Sequence, residues 1–174
     1  MLRELASRYP LDLSHAIALG HSSGGQLALW LAGRRKLPKG SPLYTDSPLA
    51  LKGVIDIDGP ADLDSFRPME QWGCGSPVVT NFIGGAPEEF SSRYREGSAA
   101  GLLPLGVKQE LFIRATSNER WKKLLDPYIA AAQKAGDPVR LLTQKGSSHF
   151  DAINPKSSSW EPVMESVRSL LGTL

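Results

Sequence analysis

The chain has 174 residues, which is the length of one domain with room for a substantial core. Its net charge is +2, with 20 basic and 18 acidic residues spread along the sequence, so neither a nucleic acid nor a membrane surface is indicated as a partner. A single cysteine, Cys74, excludes an internal disulfide, and the charged N-terminal segment is unlike a signal peptide, so a cytoplasmic protein is expected.

The hydrophobic pattern predicts strands that alternate with helices along the whole chain. Helices are predicted over residues 2–9, 24–33, 124–135 and 159–171, with short ones near 62–67, 77–83 and 87–95. Strands are predicted over 15–20, 54–57, 110–114 and 139–143, with loops over 34–48 and 115–123. The alternation favours an α/β fold: a mostly parallel, doubly wound sheet of about four strands with helices on both faces.

The helix predicted over 24–33 has an apolar pattern. Leu27, Ala28, Leu31 and Ala32 fall on one face at helical spacing, so this face is expected to pack on the sheet.

The strand-turn-helix stretch around Ser22 carries the first chemical signal. Its turn, residues 20–24, matches G-x-S-x-G. We expect Gly20 and Gly24 to let the strand and helix approach closely, with the Ser22 hydroxyl held clear at the helix N-terminus. The alternative is a structural loop in which Ser22 or Ser23 caps the helix. A phosphate-binding turn is disfavoured, because the stretch lacks both G-x-G-x-x-G and the P-loop lysine.

His149 is the candidate general base among three histidines. His15 falls at the start of a predicted strand and is expected to be structural, and His21 is expected to pack beside the site. His149 follows the last predicted strand on a Gly/Ser-rich turn, which gives its ring free access to a serine.

The candidate side chains all follow strand ends. Ser22, Asp58, the loop 115–121 and His149 each come after a predicted strand. The carboxyl ends of parallel strands meet at one edge of a sheet, so these residues are expected to converge there.

The chain resembles the C-terminal half of an α/β-hydrolase, most of all the esterase/lipase-like branch that includes kynurenine formamidase-like and feruloyl esterase-like proteins. Two motifs carry the resemblance: the strand-turn-helix stretch around Ser22, called the elbow below, and the Gly-x-x-His-Phe turn at His149. It implies that Ser22 is the nucleophile, His149 the general base and the backbone N–H of Ser23 an oxyanion donor. It implies no metal and no organic cofactor.

The resemblance leaves the triad acid open. Similar proteins carry an aspartate in the loop after the strand that matches 110–114, and this chain has Asn118 at that place. An asparagine orients an imidazole without stabilising the imidazolium by charge. The adjacent Glu119 is one possible replacement. Asp58, at the end of the neighbouring strand, is the other, with a simple turn-capping role as its structural alternative.

The resemblance also implies missing strands before the elbow. Residues 1–174 are therefore read as a single truncated α/β-hydrolase-like domain, with 61–104 as a lid or cap-like insertion rich in Gly, Pro and aromatic residues. The elbow strand is expected to have an unpaired edge, open to a second copy of the chain or to a missing N-terminal half.

Two functions follow from this interpretation. The first is a serine hydrolase that cleaves a small-molecule ester or amide through an acyl-enzyme. The second is a catalytically impaired or inactive remnant that serves as a binding module, which Asn118 and the missing oxyanion loop favour.

Overall fold

The computed structural model describes residues 1–72, 75–114, 118–144 and 148–172, without the side chain of Asn118. The strands are β1 (Ile17–His21), β2 (Gly53–Ile57), β3 (Lys108–Arg114) and β4 (Val139–Gln144). The α-helices are α1 (Leu2–Leu5), α2 (Ser23–Gly33), α3 (Leu63–Phe66), α4 (Val78–Ile83), α5 (Pro87–Gly97), α6 (Asn118–Lys134) and α7 (Trp160–Leu171). Short 3₁₀ helices span Leu13–His15, Arg34–Lys36, Arg67–Trp72, Ala99–Leu102 and Asp151–Ile153.

The four strands form one parallel sheet in the order β1-β2-β3-β4. Each crossover adds the next strand at the same edge of the sheet. Right-handed crossovers that all move in one direction place their helices on one face of the sheet. The chain then returns as α7 on the opposite face. The predicted α/β fold with a parallel sheet between helices is therefore confirmed.

A separate apolar core lies on each face of the sheet. Val54 and Leu111 point to the face covered by α2 and α6, where they pack with Leu29 and Leu125. Ile55, Ile57 and Phe112 point to the other face and pack with Val163 and Leu170 of α7. The alternation along β2 thus divides one buried strand between two cores.

Helix α2 lies on the sheet through a different face from the one that its leucines predict. Leu27 and Leu31 are 51% and 40% exposed, whereas Ala28, Leu29 and Ala32 are buried. Gly25 and Gly33 are buried on the same side, and these small residues allow the helix to lie close to β1 and β2. The expectation that Leu27 and Leu31 face the core is therefore wrong.

Three boundary predictions are also corrected. His15 ends the 3₁₀ helix Leu13–His15, where its Nδ1 lies 2.6 Å from Asp12 Oδ2, and it does not begin β1. The α1 helix stops at Leu5, with Tyr9 exposed beyond it. Helix α6 begins at Asn118, so much of the predicted loop 115–123 is helical.

The segment 61–104 has a small core of its own. Leu63, Phe66, Val79, Ile83 and Tyr94 pack together from α3, α4 and α5, and the rings of Phe66 and Trp121 stack with centroids 5.7 Å apart. Trp121 belongs to α6, so this segment is attached to the main domain beside the carboxyl ends of the strands. Across the described ranges, no helix combines the length and the apolar character that crossing a bilayer requires.

Candidate active site

Ser22 lies at the turn between β1 and α2 in a strained backbone conformation. Its φ of 57° and ψ of −123° fall where non-glycine residues are rare. The backbone fixes this geometry, because Ser22 N–H donates to the Ile57 carbonyl at 2.7 Å and the Ser22 carbonyl accepts from Gly25 at 2.9 Å. The Ser22 hydroxyl does not cap α2, so the capping interpretation does not account for it.

Gly20 and Gly25 are the glycines that permit this turn. A Cβ at Gly20 would lie 1.8 Å from the Gly24 carbonyl oxygen, and one at Gly25 would lie 1.9 Å from Asp56 Oδ1. A Cβ at Gly24 would meet open space, so the close approach expected there belongs to Gly25 instead. The final glycine of G-x-S-x-G is thus not a packing requirement in this chain.

Asp58 lies directly after β2 and is also held at a positive φ, 54°. Its N–H donates to the Phe112 carbonyl at 2.8 Å, and its Oδ1 accepts from the N–H of Arg114 at 3.2 Å. The side chain is only 2% exposed. These contacts hold a buried carboxylate just after β2, with its Oδ2 facing the His149 ring.

His149 contacts Asp58 through its Nδ1, which lies 3.2 Å from Asp58 Oδ2. Because a carboxylate accepts, this Nδ1 carries the hydrogen, which leaves Nε2 as the basic nitrogen. Ser22 and His149 line the wall of one pocket. Within the described residues the structure has no hydrogen bond between these two side chains, a contact that commonly tightens only when substrate binds.

His21 connects the elbow to the loop of His149. Its Nε2–H donates to the His149 backbone carbonyl at 2.6 Å, and the two rings lie 4.2 Å apart. Burial lowers the pKa of His21, which favours its neutral form. His21 therefore packs beside the site, as predicted, and holds the backbone of the candidate base.

Arg114 is a site residue that sequence reasoning missed. Its Nε lies 2.8 Å from Asp58 Oδ2, the same oxygen that faces His149, although the Nε–H is not directed along a hydrogen bond. The only sequence signal was its place as the last residue of a strand that ends beside the site.

The other two candidates for the acid lie elsewhere. Glu119 is exposed in the first turn of α6 and is not part of the pocket wall. Asn118 is the first residue of α6, and its side chain lies outside the described part of the chain. Among the described carboxylates, Asp58 is the one in contact with the His149 ring.

A second aspartate lies beneath the elbow. Asp56, on β2, is fully buried; its Oδ1 accepts from Gly59 N–H at 2.9 Å, and its Oδ2 has no partner among the described residues. Burial raises the pKa of Asp56 well above its usual range. Burial thus favours the protonated form of this carboxyl.

The pocket in front of these residues has a volume of about 360 Å³ and a mainly apolar wall. Phe66 and Val79 come from the segment 61–104, and Trp121 comes from α6. The catalytic candidates therefore open onto a cavity shaped by aromatic and aliphatic side chains.

No protein-family model and no curated sequence matches the chain. Solved structures do match it, among them a truncated carbohydrate esterase from gut microbiota, with TM-score 0.69, 15% identity, and coverage of 98% of this chain and 65% of that one. Thermogutta terrifontis esterase 2 matches with TM-score 0.60 and 16% identity over 90% of this chain and 54% of its own. Pyrococcus horikoshii acylaminoacyl peptidase matches with TM-score 0.68 and 17% identity over 98% and 26%.

Identity this low makes the likeness one of fold, and the chain spans 65% or less of the length of these three proteins. Each of these three proteins is an esterase or a peptidase. The chain therefore has the α/β-hydrolase fold that these enzymes share, over part of their length.

Proposed function

We propose that the chain is a serine hydrolase of ester or amide bonds, with Ser22 as nucleophile, His149 as general base and Asp58 as the acid that orients His149. The contact between His149 Nδ1 and Asp58 Oδ2 carries the proposal, because it supports the hydrogen-bonded pair that an activated serine needs in the pocket that contains Ser22. The esterases and peptidases of the same fold agree with this chemistry. The kynurenine formamidase-like and feruloyl esterase-like branch stays a prediction.

The reaction begins when Ser22 Oγ attacks the carbonyl carbon and its proton passes to His149 Nε2. The carbonyl oxygen becomes an oxyanion, for which the N–H of Ser23 at the start of α2 is the proposed donor. The tetrahedral intermediate collapses as the alcohol or amine leaves with the proton from His149. Water, activated by the same imidazole, then attacks the acyl-enzyme and releases the acid and free Ser22.

The acyl or aryl part of the substrate is proposed to occupy the apolar cavity. Phe66, Val79 and Trp121 supply its wall, and a cavity of about 360 Å³ accommodates a small ligand. The proposal that the segment 61–104 acts as a cap is supported by residues of α3 and α4, which have a small core of their own and line the pocket.

The test is covalent labelling by a fluorophosphonate probe, which loses fluoride when an activated serine forms a bond to phosphorus. We expect the folded chain to be labelled and Ser22→Ala to remain unlabelled. Ser23→Ala is the matched control, because it removes the neighbouring hydroxyl and keeps the proposed N–H donor. Absence of labelling in a folded chain with native circular dichroism would reject the proposal in favour of an inactive binding module.

A further inference from the structure

Arg114 is a positively charged residue in the wall of the apolar pocket. Its side chain is 23% exposed, and Arg114 lines the same cavity as Ser22 and His149. The Nε lies 2.8 Å from Asp58 Oδ2, and among the described residues the hydrogen bond of Arg114 is the one that its backbone N–H donates to Asp58 Oδ1, so the two Nη groups have no hydrogen-bond acceptor there. The guanidinium group therefore presents donors that the described protein does not use.

The charges around the pocket favour an anion in front of Arg114. The acid in the described wall, Asp58, is 2% exposed and already faces Arg114 and His149. The Arg120 guanidinium lies 4.5 Å from the ring of Trp72, a residue of the pocket wall, and so adds a second positive charge near the cavity. A ligand in the cavity thus meets positive charge at the surface and within an apolar environment, where charge-assisted hydrogen bonds are strong.

The place of Arg114 also indicates which part of a substrate it meets. In the proposed reaction His149 returns its proton to the leaving group, so the leaving group lies on the His149 side of the scissile bond. Arg114 and His149 contact the same oxygen of Asp58. Arg114 therefore lies next to His149, the residue that the leaving group approaches in the proposed reaction.

We infer that Arg114 binds a carboxylate on the leaving group of the substrate, so that the preferred substrates are esters or amides of hydroxy or amino acids. The inference rests on the proposed function for the reaction, and on the unused Nη donors for the anion. A guanidinium has five N–H donors in a planar fork, enough to face Asp58 through Nε and a substrate carboxylate through both Nη groups.

A matched pair of substrates tests this directly. Hydrolysis of 3-butyryloxybenzoate and of 3-butyryloxybenzamide gives butyrate with 3-hydroxybenzoate or 3-hydroxybenzamide, and the two differ only in the anionic group. The measured quantity is the kcat/KM for the benzoate ester divided by the kcat/KM for the benzamide ester. We expect this ratio to be lower in Arg114→Gln than in the parent by about tenfold or more. Damage to Asp58 lowers both rates equally and cancels in the ratio.

Two further variants complete the comparison. Arg114→Lys keeps the charge without the fork, and it is expected to retain part of the preference; it also serves if Arg114→Gln does not fold. Arg8→Gln removes an equal charge from an exposed pair with Glu4 and is expected to leave the ratio unchanged. An unchanged ratio in the folded Arg114→Gln variant would overturn the inference, because Arg114 would then only hold Asp58.

Binding separates this inference from the proposed reaction. Calorimetric titration of the Ser22→Ala variant with 3-hydroxybenzoate and 3-hydroxybenzamide needs no turnover. If Ser22→Ala binds the benzoate more tightly than the benzamide, and the double variant Ser22→Ala/Arg114→Gln binds both equally, the anion site is supported even if no ester is cleaved. If both esters are cleaved with no preference for the anionic one, and both products bind equally, the proposed hydrolase function is kept and the anion site is rejected.

Discussion

At the scale of single residues, Asp58 is the carboxylate on which the proposed mechanism depends. Asp58→Asn keeps the shape of the side chain but removes the charge that stabilises the imidazolium, so kcat is expected to fall by about 10⁴. Glu119→Gln removes an exposed carboxylate of α6 and is expected to leave kcat within about twofold of the parent. Steady-state hydrolysis of a chromogenic ester measures both, and equal losses in the two variants would contradict the assignment of Asp58.

Asp56 gives a prediction about stability. Burial raises its pKa, so the folded state keeps a proton that the unfolded state, whose carboxyl has the ordinary pKa of 3.8, releases. Above about pH 4 the free energy of unfolding therefore falls with pH through this group, by up to about 1.4 kcal/mol per pH unit, until the folded pKa is reached. Below about pH 4 both states are protonated, and the free energy of unfolding no longer changes with pH through this group.

Asp56→Asn places a permanently neutral side chain of the same shape at this position. The free energy of unfolding of the variant, relative to the parent, is expected to rise as the pH increases from about 4 to 7. Urea titrations at several pH values measure this difference. A difference that stays constant with pH would show that Asp56 is ionised in the folded protein.

The local sequence around Ser22 and His149 was sufficient to propose both residues as candidates, because each lies in a distinctive turn, and the structure lines one pocket with both. Asp58 was one of two alternatives for the acid, because its contact with His149 joins residues 91 positions apart and depends on the assembled domain. Asp56 gave no sequence signal, and the signal for Arg114 was limited to its place at the end of a strand. Both belong to strands, and only tertiary contacts make Arg114 a pocket residue and raise the pKa of Asp56 by burial.

At the scale of elements, the junction of β1 and α2 provides a matched pair of glycine substitutions. Gly25→Ala forces a Cβ against Asp56 and is expected to destabilise the protein by about 1–3 kcal/mol, with loss of labelling at Ser22. In Gly24→Ala the new Cβ lies in open space, and alanine favours a helix more than glycine does. This variant is therefore expected to have the same stability as the parent or to be more stable by about 0.5–1 kcal/mol. Thermal unfolding measures both, and similar effects of the two would contradict the assigned packing.

The elements themselves were predictable because the apolar runs of the strands are short and bounded by Gly and Pro. The face of α2 was not, because burial there depends on the room beneath the helix. Gly25, Ala28 and Ala32 fit that space, and Leu27 and Leu31 are left outside although their pattern is more hydrophobic. The hydrophobic periodicity thus predicted the helix, whereas the volume of its side chains determined which face of α2 packs on the sheet.

At the scale of the whole molecule, β1 is an outer strand of the sheet in the described part of the chain. Leu19, in the middle of β1, is 44% exposed. An open edge with an exposed leucine favours pairing between copies, so we expect self-association at high concentration and expect Leu19→Lys to reduce it. Sedimentation velocity measures both, with Thr143→Lys on β4, the other outer strand, as the control.

The contacts at the pocket join residues that are far apart in the chain. His21 and His149 are separated by 128 positions, and Asp58 and His149 by 91. Ser22 therefore shares a pocket with an imidazole paired to Asp58 only after these distant segments have reached their native positions. Reaction with a phosphonate probe would thus report the arrival of the native state during refolding, and its time course, compared with the recovery of helical circular dichroism, would separate the formation of secondary structure from the final assembly of the domain.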